Sequence, residues 1–266
     1  MQSEMKPRTS PTHGRLWGTR ARDWADIQEG MVRPVYEAVF ERTGVKSGTR
    51  YLDVGCGAGM AAAIAASRGA RVSGIDASEA LLAIARTRVP DADFRQGDLE
   101  ELPFGTASFD LVTGFNSFQF AGNPVVALRE ARRVVSPAGN VVIVTWGDPS
   151  GMPAAGVVAA LGPLLPPPPP GAPGPVALSD EAALRAFASA AAFEPIEVFD
   201  VDGPFVYPDQ ETAVRGLNSS GVAVRAIENS SEQAVTEAHL KAIAPFRNAD
   251  GSYRINASFR CLLARP

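Results

Sequence analysis

The segment Tyr51-Leu52-Asp53-Val54-Gly55-Cys56-Gly57-Ala58-Gly59 constrains this chain more than any other. A short apolar run leads into three glycines, and an alanine-rich stretch of helical period leads out of them. Glycine at such a strand-to-helix turn lets backbone approach a ligand closely, and the helix start that follows offers unpaired N–H groups. Asp76 closes the next apolar run, where an open α/β fold places a carboxylate for ribose hydroxyls about 20 residues after the turn. The turn therefore predicts a ribose-bearing ligand at the edge of a parallel sheet.

The rest of the chain alternates short apolar runs with helical patterns, as βαβ units do. Strands are expected at Arg50–Val54, Arg71–Ile75, Asp93–Gln96, Phe109–Gly114 and Asn140–Trp146, the last apolar enough for burial on both faces. Helices are expected at Ala58–Ser67, from Ser78 and Glu79 to Val89, at Pro124–Val135, and at Ser179–Ala192 with Ser179 as its cap. Ile196–Val201 and Ser252–Leu263 read as an antiparallel pair at one edge, and Pro208 to Pro245 as two or three short helices. The fold class is α/β: a Rossmann-like doubly wound seven-stranded sheet, mostly parallel with an antiparallel edge strand, and helices on both faces. Pro166–Pro170 lie in a Pro/Gly-rich stretch that reads as a stiff polyproline II linker or lid, with an SH3-type ligand as the alternative.

Composition removes several classes of function. At 45% hydrophobic and 20% charged residues the chain is neither disordered nor membrane-spanning. A net charge of −4 provides no general attraction to phosphate backbones, so no nucleic-acid partner and no membrane partner is expected. Two cysteines, Cys56 and Cys261, without a Cys/His cluster exclude a disulfide scaffold and a zinc site, so no metal is expected. The polar N-terminus lacks the apolar core of a secretory signal, which points to a cytoplasmic protein.

Two nucleotide chemistries compete for the turn. A dinucleotide fingerprint needs a small residue at position 60, which is Met60. The G-x-G-x-G form after Asp53 resembles instead motif I of the class I S-adenosylmethionine-dependent methyltransferases. Three later segments are similar to that family in the same order. Gly97-Asp98-Leu99-Glu100-Glu101-Leu102-Pro103-Phe104 resembles its adenine loop, Phe109-Asp110-Leu111-Val112-Thr113-Gly114-Phe115-Asn116 its motif IV, and Leu128 to Gly139 the helix and turn before strand five. The closest group in character is the small-molecule one that includes the ubiquinone and menaquinone methyltransferases. The resemblance implies S-adenosylmethionine as cofactor. It assigns Asp53, Gly55, Cys56 and Gly57 to the methionine side, Asp76 and Ala77 to the ribose, Asp98 and Leu99 to the adenine, and Asn116 to the sulfonium end. It also implies that residues 1–45 form a helical lid, with Trp24 over the cofactor, and that residues 46–266 form the cofactor domain. That domain carries the Pro-rich insertion 151–178 and a helical acceptor-side region 204–246.

Methyl transfer from a sulfonium is in-line substitution at an activated carbon, so alignment and exclusion of water dominate. Relatives often carry a histidine just after motif IV, but Asn116-Ser117-Phe118-Gln119-Phe120 has none. Of the two histidines, His13 falls in a terminus expected to be disordered and His239 in a helix where a solvated position is expected. Gln119 is the candidate for orienting the acceptor, and Tyr36 or Tyr207 for offering it a hydrogen bond. Phe115, Phe118, Phe120 and Phe205 are candidates for an apolar acceptor pocket or for plain core. The expected reaction is methylation of an O, N or C atom of a small, aromatic or apolar acceptor, by a monomer or homodimer. The alternatives are a protein of this fold that binds the cofactor without transferring methyl, such as a scaffold for cyclisation, and a nucleic-acid or protein methyltransferase. A nucleic-acid enzyme would prefer Pro-Pro-aromatic after Asn116, where Ser117-Phe118-Gln119 stands.

Overall fold

A computed structural model describes residues 8–167 and 176–266. Among these residues nine strands form in chain order: β1 (Arg50–Val54), β2 (Arg71–Asp76), β3 (Asp93–Gln96), β4 (Phe109–Phe115), β5 (Val135–Trp146), β6 (Glu194–Asp202), β7 (Phe205–Tyr207), β8 (Tyr253–Ile255) and β9 (Ser258–Arg265). Seven of them build one sheet in the order β3-β2-β1-β4-β5-β9-β6, and β7 pairs with β8 in a separate two-stranded sheet. The pairs β1–β2, β1–β4, β2–β3 and β4–β5 are parallel, while β9 runs antiparallel to both β5 and β6. The strand order reverses between β1 and β4, so their C-terminal ends open the crevice in which such folds bind ligands.

Alternation along the strands divides the core into two clusters, one on each face of the sheet. Tyr51, Leu111 and Val142 face the helices Arg33–Thr43, Met60–Ser67 and Glu79–Arg88, through Val39, Ala62 and Leu82 among others. Their neighbours Leu52, Val112 and Val141 face the helices Pro124–Val134 and Glu181–Ala190, through Leu128 and Leu184. The doubly wound arrangement expected from the sequence is thus present.

Four details differ from the sequence reading. The antiparallel strand is not at the sheet's edge: β9, with Cys261 and Leu262 at 0% exposure, is buried between β5 and β6. The edge falls to β6, whose Glu194, Glu197, Asp200 and Asp202 suit a strand that must not pair further. The expected strand Ser252–Leu263 is broken at Asn256 and Ala257, so that β8 leaves the main sheet. The helix Glu181–Ala190 is capped by Asp180, whose carboxylate accepts the Ala183 N–H at 2.8 Å, and not by Ser179, whose carbonyl accepts from Arg260. Within the Pro-rich stretch, Pro153–Ala159 is a helix with Ala154 and Val157 buried, and Gly162–Leu164 is a 3₁₀ turn. Pro168–Pro170 lie outside the described residues.

Both histidines also depart from expectation. His13 sits within the helix Ser10–Gly18, its ring centroid 5.3 Å from that of Phe120. His239 is buried, with Nδ1 at 2.7 Å from Asn218 Oδ1, and burial alone lowers its pKa to about 4. Ala-rich, weakly polar stretches around Pro208 to Pro245 fold as three helices, Gln210–Asn218, Gly221–Asn229 and Glu232–Ile243, each opened by a capping Asp or Ser side chain. Among the described residues no helix is long and apolar enough to cross a membrane.

Candidate active site at the glycine turn

The turn between β1 and the helix Met60–Ser67 is tied to β2, because Gly55 and Cys56 both donate their N–H to the Ile75 carbonyl, at 2.8 and 3.0 Å. Gly55, Gly57 and Gly59 all adopt positive φ, which explains why the helix starts at Met60 and not at Ala58. A Cβ at Gly55 would lie 2.4 Å from Ser117 Cβ, so β1 and the segment after β4 can meet only through glycine. At Gly57 an added Cβ would be in ordinary contact, 3.5 Å from Glu29 Oε1 and 3.7 Å from Trp24 Nε1. Gly57 thus sits in a cradle bounded by backbone on one side and by the N-terminal segment on the other.

Three carboxylates surround the turn. Asp76 accepts the Gly57 N–H through Oδ2 at 2.9 Å and the Ser78 N–H through Oδ1 at 2.8 Å. Each oxygen keeps a second lone pair for a ligand hydroxyl. Burial raises the Asp76 pKa, and its hydrogen bonds from Ser78, Gly57 and Ala77 oppose the rise. Asp53 lies beneath the turn, where Thr113 Oγ1 donates to it at 3.0 Å and Tyr51 supports Thr113 at 2.7 Å. Burial pushes the Asp53 carboxyl up to about 7; the Thr113 bond opposes this, and the charges of Glu29 and Asp76 add to it. Glu29 accepts the Met60 N–H at 3.3 Å and forms an ion pair with Arg88. Burial raises its pKa against the pull of the guanidinium.

The N-terminal segment covers the far side. Residues Trp24–Gln28 form a π-helical turn between shorter helical pieces, a local irregularity common where a chain must aim side chains at a site. Trp17 and Trp24 meet edge to face at 4.7 Å, and Trp17 in turn contacts Phe120 at 5.8 Å. The helix Ser10–Gly18 lies across the ends of β2 and β3: Ser10 Oγ donates to Asp98 Oδ2 at 2.8 Å, and a Cβ on Gly14 would be 2.3 Å from the Ala77 carbonyl oxygen.

The expected cofactor residues Trp24, Asp53, Gly55, Gly57, Asp76, Ala77 and Asp98 therefore gather at the C-terminal ends of β1, β2 and β3. Cys56 contributes only backbone, since its thiol turns into the core beside Gly74, whose added Cβ would be 2.9 Å from the sulfur. Leu99 is half-buried against the second core cluster. Asn116 stands just beyond β4 at φ 51°, its N–H donating to the Val144 carbonyl at 2.9 Å, and Gln119 Nε2 donates to its side-chain oxygen at 3.3 Å. Tyr36 packs edge-on against Phe115 at 4.6 Å, and burial, with the charges of Glu29 and Asp53 adding to it, raises its pKa well above the usual phenol value. Tyr207 is fully buried, and its hydroxyl donates to Gln28 Oε1 at 2.7 Å, so it holds the N-terminal segment in place. Phe118 belongs to the second core cluster at 1% exposure and lines no pocket; Phe115 and Phe120 remain at the site's rim. Phe205 is buried beside Trp146 and Tyr207.

Sequence reasoning missed Glu29, Arg88 and Gln28. Their signal was faint: Glu29 and Gln28 lie in a segment without apolar period, and Arg88 reads as an ordinary cation in the last turn of a helix. Only folding brings them to the glycine turn.

Residues 52–143 match the Methyltransferase domain family. A demethylmenaquinone methyltransferase from Renibacterium salmoninarum is 35% identical over 124 residues, covering 47% of this chain and 52% of the relative. A ubiquinone biosynthesis O-methyltransferase from Pseudomonas aeruginosa is 34% identical over 140 residues, covering 47% of this chain and 58% of the relative. The chain thus spans little more than half the length of these curated relatives. Among solved structures, the YcgJ protein of Bacillus subtilis superposes with a TM-score of 0.55 at 22% identity, covering 87% of this chain and 98% of that one. The [4+2]-cyclase SpnF superposes with a TM-score of 0.55 at 23% identity, covering 87% of this chain and 79% of that one. Both structural likenesses are likenesses of fold.

Proposed function

We propose that this chain, which belongs to the class I S-adenosylmethionine-dependent methyltransferases, transfers a methyl group to an oxygen or carbon of a small aromatic acceptor of the hydroxylated or quinol type. The observation that carries the reading is the glycine turn at Gly57, bordered by Trp24 and Glu29 and backed by Asp76. A group with a ribose and a zwitterionic end fits those donors and acceptors. S-adenosylmethionine supplies an already activated methyl group when bound. The protein's own work is alignment and exclusion of water.

In this reading Asp76 receives the ribose hydroxyls, Asp98 and Leu99 border the adenine, and the backbone of Gly55 and Gly57 follows the methionine chain. Asn116 fixes the sulfonium end, and Gln119, held by Asn116, orients the acceptor. Tyr36 offers its hydroxyl from the wall it shares with Phe115. Tyr207 acts at one remove, through Gln28. Residues 8–32 shut out water, and the helices between residues 208 and 245 shape the acceptor side. The names of the relatives support an aromatic quinone-related acceptor, and the rim aromatics Phe115 and Phe120 are compatible with one.

The test is isothermal titration with S-adenosylmethionine and separately with NAD, followed by labelled methyl transfer to a panel of catechols and demethylated quinols. The reading expects micromolar binding of the sulfonium cofactor alone and label in an acceptor, matched by demethylated cofactor. Binding of NAD, or of neither, by folded protein overturns it. Cofactor binding with product formed from the acceptor panel but no labelled methyl in it would favour a non-transferring member of the fold.

A further inference from the structure

Resting on that reading, we propose that Glu29 receives the α-ammonium group of the methionine end of S-adenosylmethionine, with Arg88 as its positioning residue and the Trp24 indole N–H serving the adjoining carboxylate. Glu29 and Trp24 present an acceptor and a donor side by side, 3.5 and 3.7 Å from where a Gly57 Cβ would be. An amino-acid zwitterion needs that complement.

Arg88 fixes the arrangement. Its guanidinium bonds the Ala58 carbonyl at 2.9 Å and the Ala25 carbonyl at 2.7 Å, and pairs with Glu29 through Oε2. Oε1 is left facing the turn with one long bond, 3.3 Å, from the Met60 N–H. Asp53 is fastened from below by Thr113, so it is less free to turn toward the cradle.

The turn gathers more carboxyl groups than cationic partners. Among the described residues Arg88 is the only cationic side chain bonded to any of Glu29, Asp53 or Asp76. Two of these carboxylates, Glu29 at 3% and Asp53 at 2% exposure, are nearly sealed from water.

The experiment titrates wild type and Glu29→Gln with S-adenosylhomocysteine and with its analogue lacking the α-amino group. Glutamine keeps the shape and can still accept from Met60 through its one oxygen, while the charge and the acceptor facing Arg88 are removed. Wild type is expected to prefer the amino-bearing ligand by about tenfold or more, the range of one charge-assisted hydrogen bond. Glu29→Gln is expected to lose that preference while binding the deaminated analogue as wild type does. Persistence of the preference overturns the proposal. Tighter binding of S-adenosylhomocysteine by Glu29→Gln also overturns it, because Glu29 would then compete with the ligand's carboxylate. Should that variant fail to fold, Trp24→Phe replaces it: the preference for carboxylate-bearing over decarboxylated ligand is expected to fall with the amino preference intact, and no change in the former refutes the arrangement. Wild type that binds neither nucleoside defeats the methyltransferase reading itself, a result distinct from an unchanged preference.

Discussion

The half proposed to hold the cofactor and the half proposed to face the acceptor position their residues by different means. Around β1, β2 and β4 the work is done by backbone: positive φ at Gly55 and Gly57, two N–H groups on one carbonyl of β2, and a carboxylate that bonds main-chain N–H. Across the crevice, helix packs on helix through side chains. Gly216 is wedged against Ile27, Gln28 and Tyr207, where a Cβ would be 2.7, 3.0 and 3.2 Å from their atoms, and His239 bonds Asn218 in a dry interior. Backbone geometry tolerates little substitution, whereas a packed helical wall admits many solutions. The first half therefore admits fewer substitutions than the second, as the proposed division between a fixed cofactor and a variable acceptor requires.

The sharpest way to break that contrast is Gly55→Val. The substitution combines a disfavoured φ with a Cβ 2.4 Å from Ser117 Cβ, and should destabilise the fold by about 3 kcal/mol or more and abolish cofactor binding. Thermal melting with titration checks both, and a stable, binding variant would refute the backbone account. Next in size is pH. Because Asp53 is raised to about 7 in the folded protein, the native state holds more protons than the unfolded one between about pH 4 and 7. Its contribution to stability is fully present below the unfolded pKa and is lost as pH rises through about 7, with a limiting slope of about 1.4 kcal/mol per pH unit. Denaturant curves from pH 5 to 8 should show the fall, and Asp53→Asn should flatten it.

Asp76→Ala should weaken S-adenosylmethionine by about 1–3 kcal/mol, measured by titration, with a smaller change in acceptor KM. Gln119→Ala should spare cofactor affinity and lower turnover, because among the described residues its amide hydrogen-bonds Asn116 alone. Equal loss of both would place it in the cofactor half. The smallest effect belongs to the exposed pair Arg15–Glu228, which joins the N-terminal helix to the acceptor side. Arg15→Ala should leave the melting temperature almost unchanged, and any shift should vanish in high salt.

These halves also differ in what their residues disclose before folding. Gly55, Gly57 and Asp76 announce themselves because local geometry restricts which residue types can occupy a ligand-facing strand end. Asp53 was legible as a carboxylate at the turn, but its hydrogen bond to Thr113 depends on β1 and β4 being neighbours. Glu29 and Arg88 lie far apart along the chain, and nothing local marks either for the other. His239 misled because polar neighbours such as Glu237 and Lys241 suggest solvent, whereas its own face of the helix turns inward with Val235 and Ile243. The position of β9 was hidden for a related reason: an apolar strand reads the same at second place as at the edge until β6 is laid beside it.

The helix Ser10–Gly18 touches both halves, resting on Ala77 and Asp98 on one side and reaching Glu228 and Gly221 on the other. In the proposed reading the nucleoside end lies beneath that helix, so its exchange requires the helix to lift from both halves. Turnover that waits on nucleoside exchange would then be paced by a segment that contributes no atom to the bond being made.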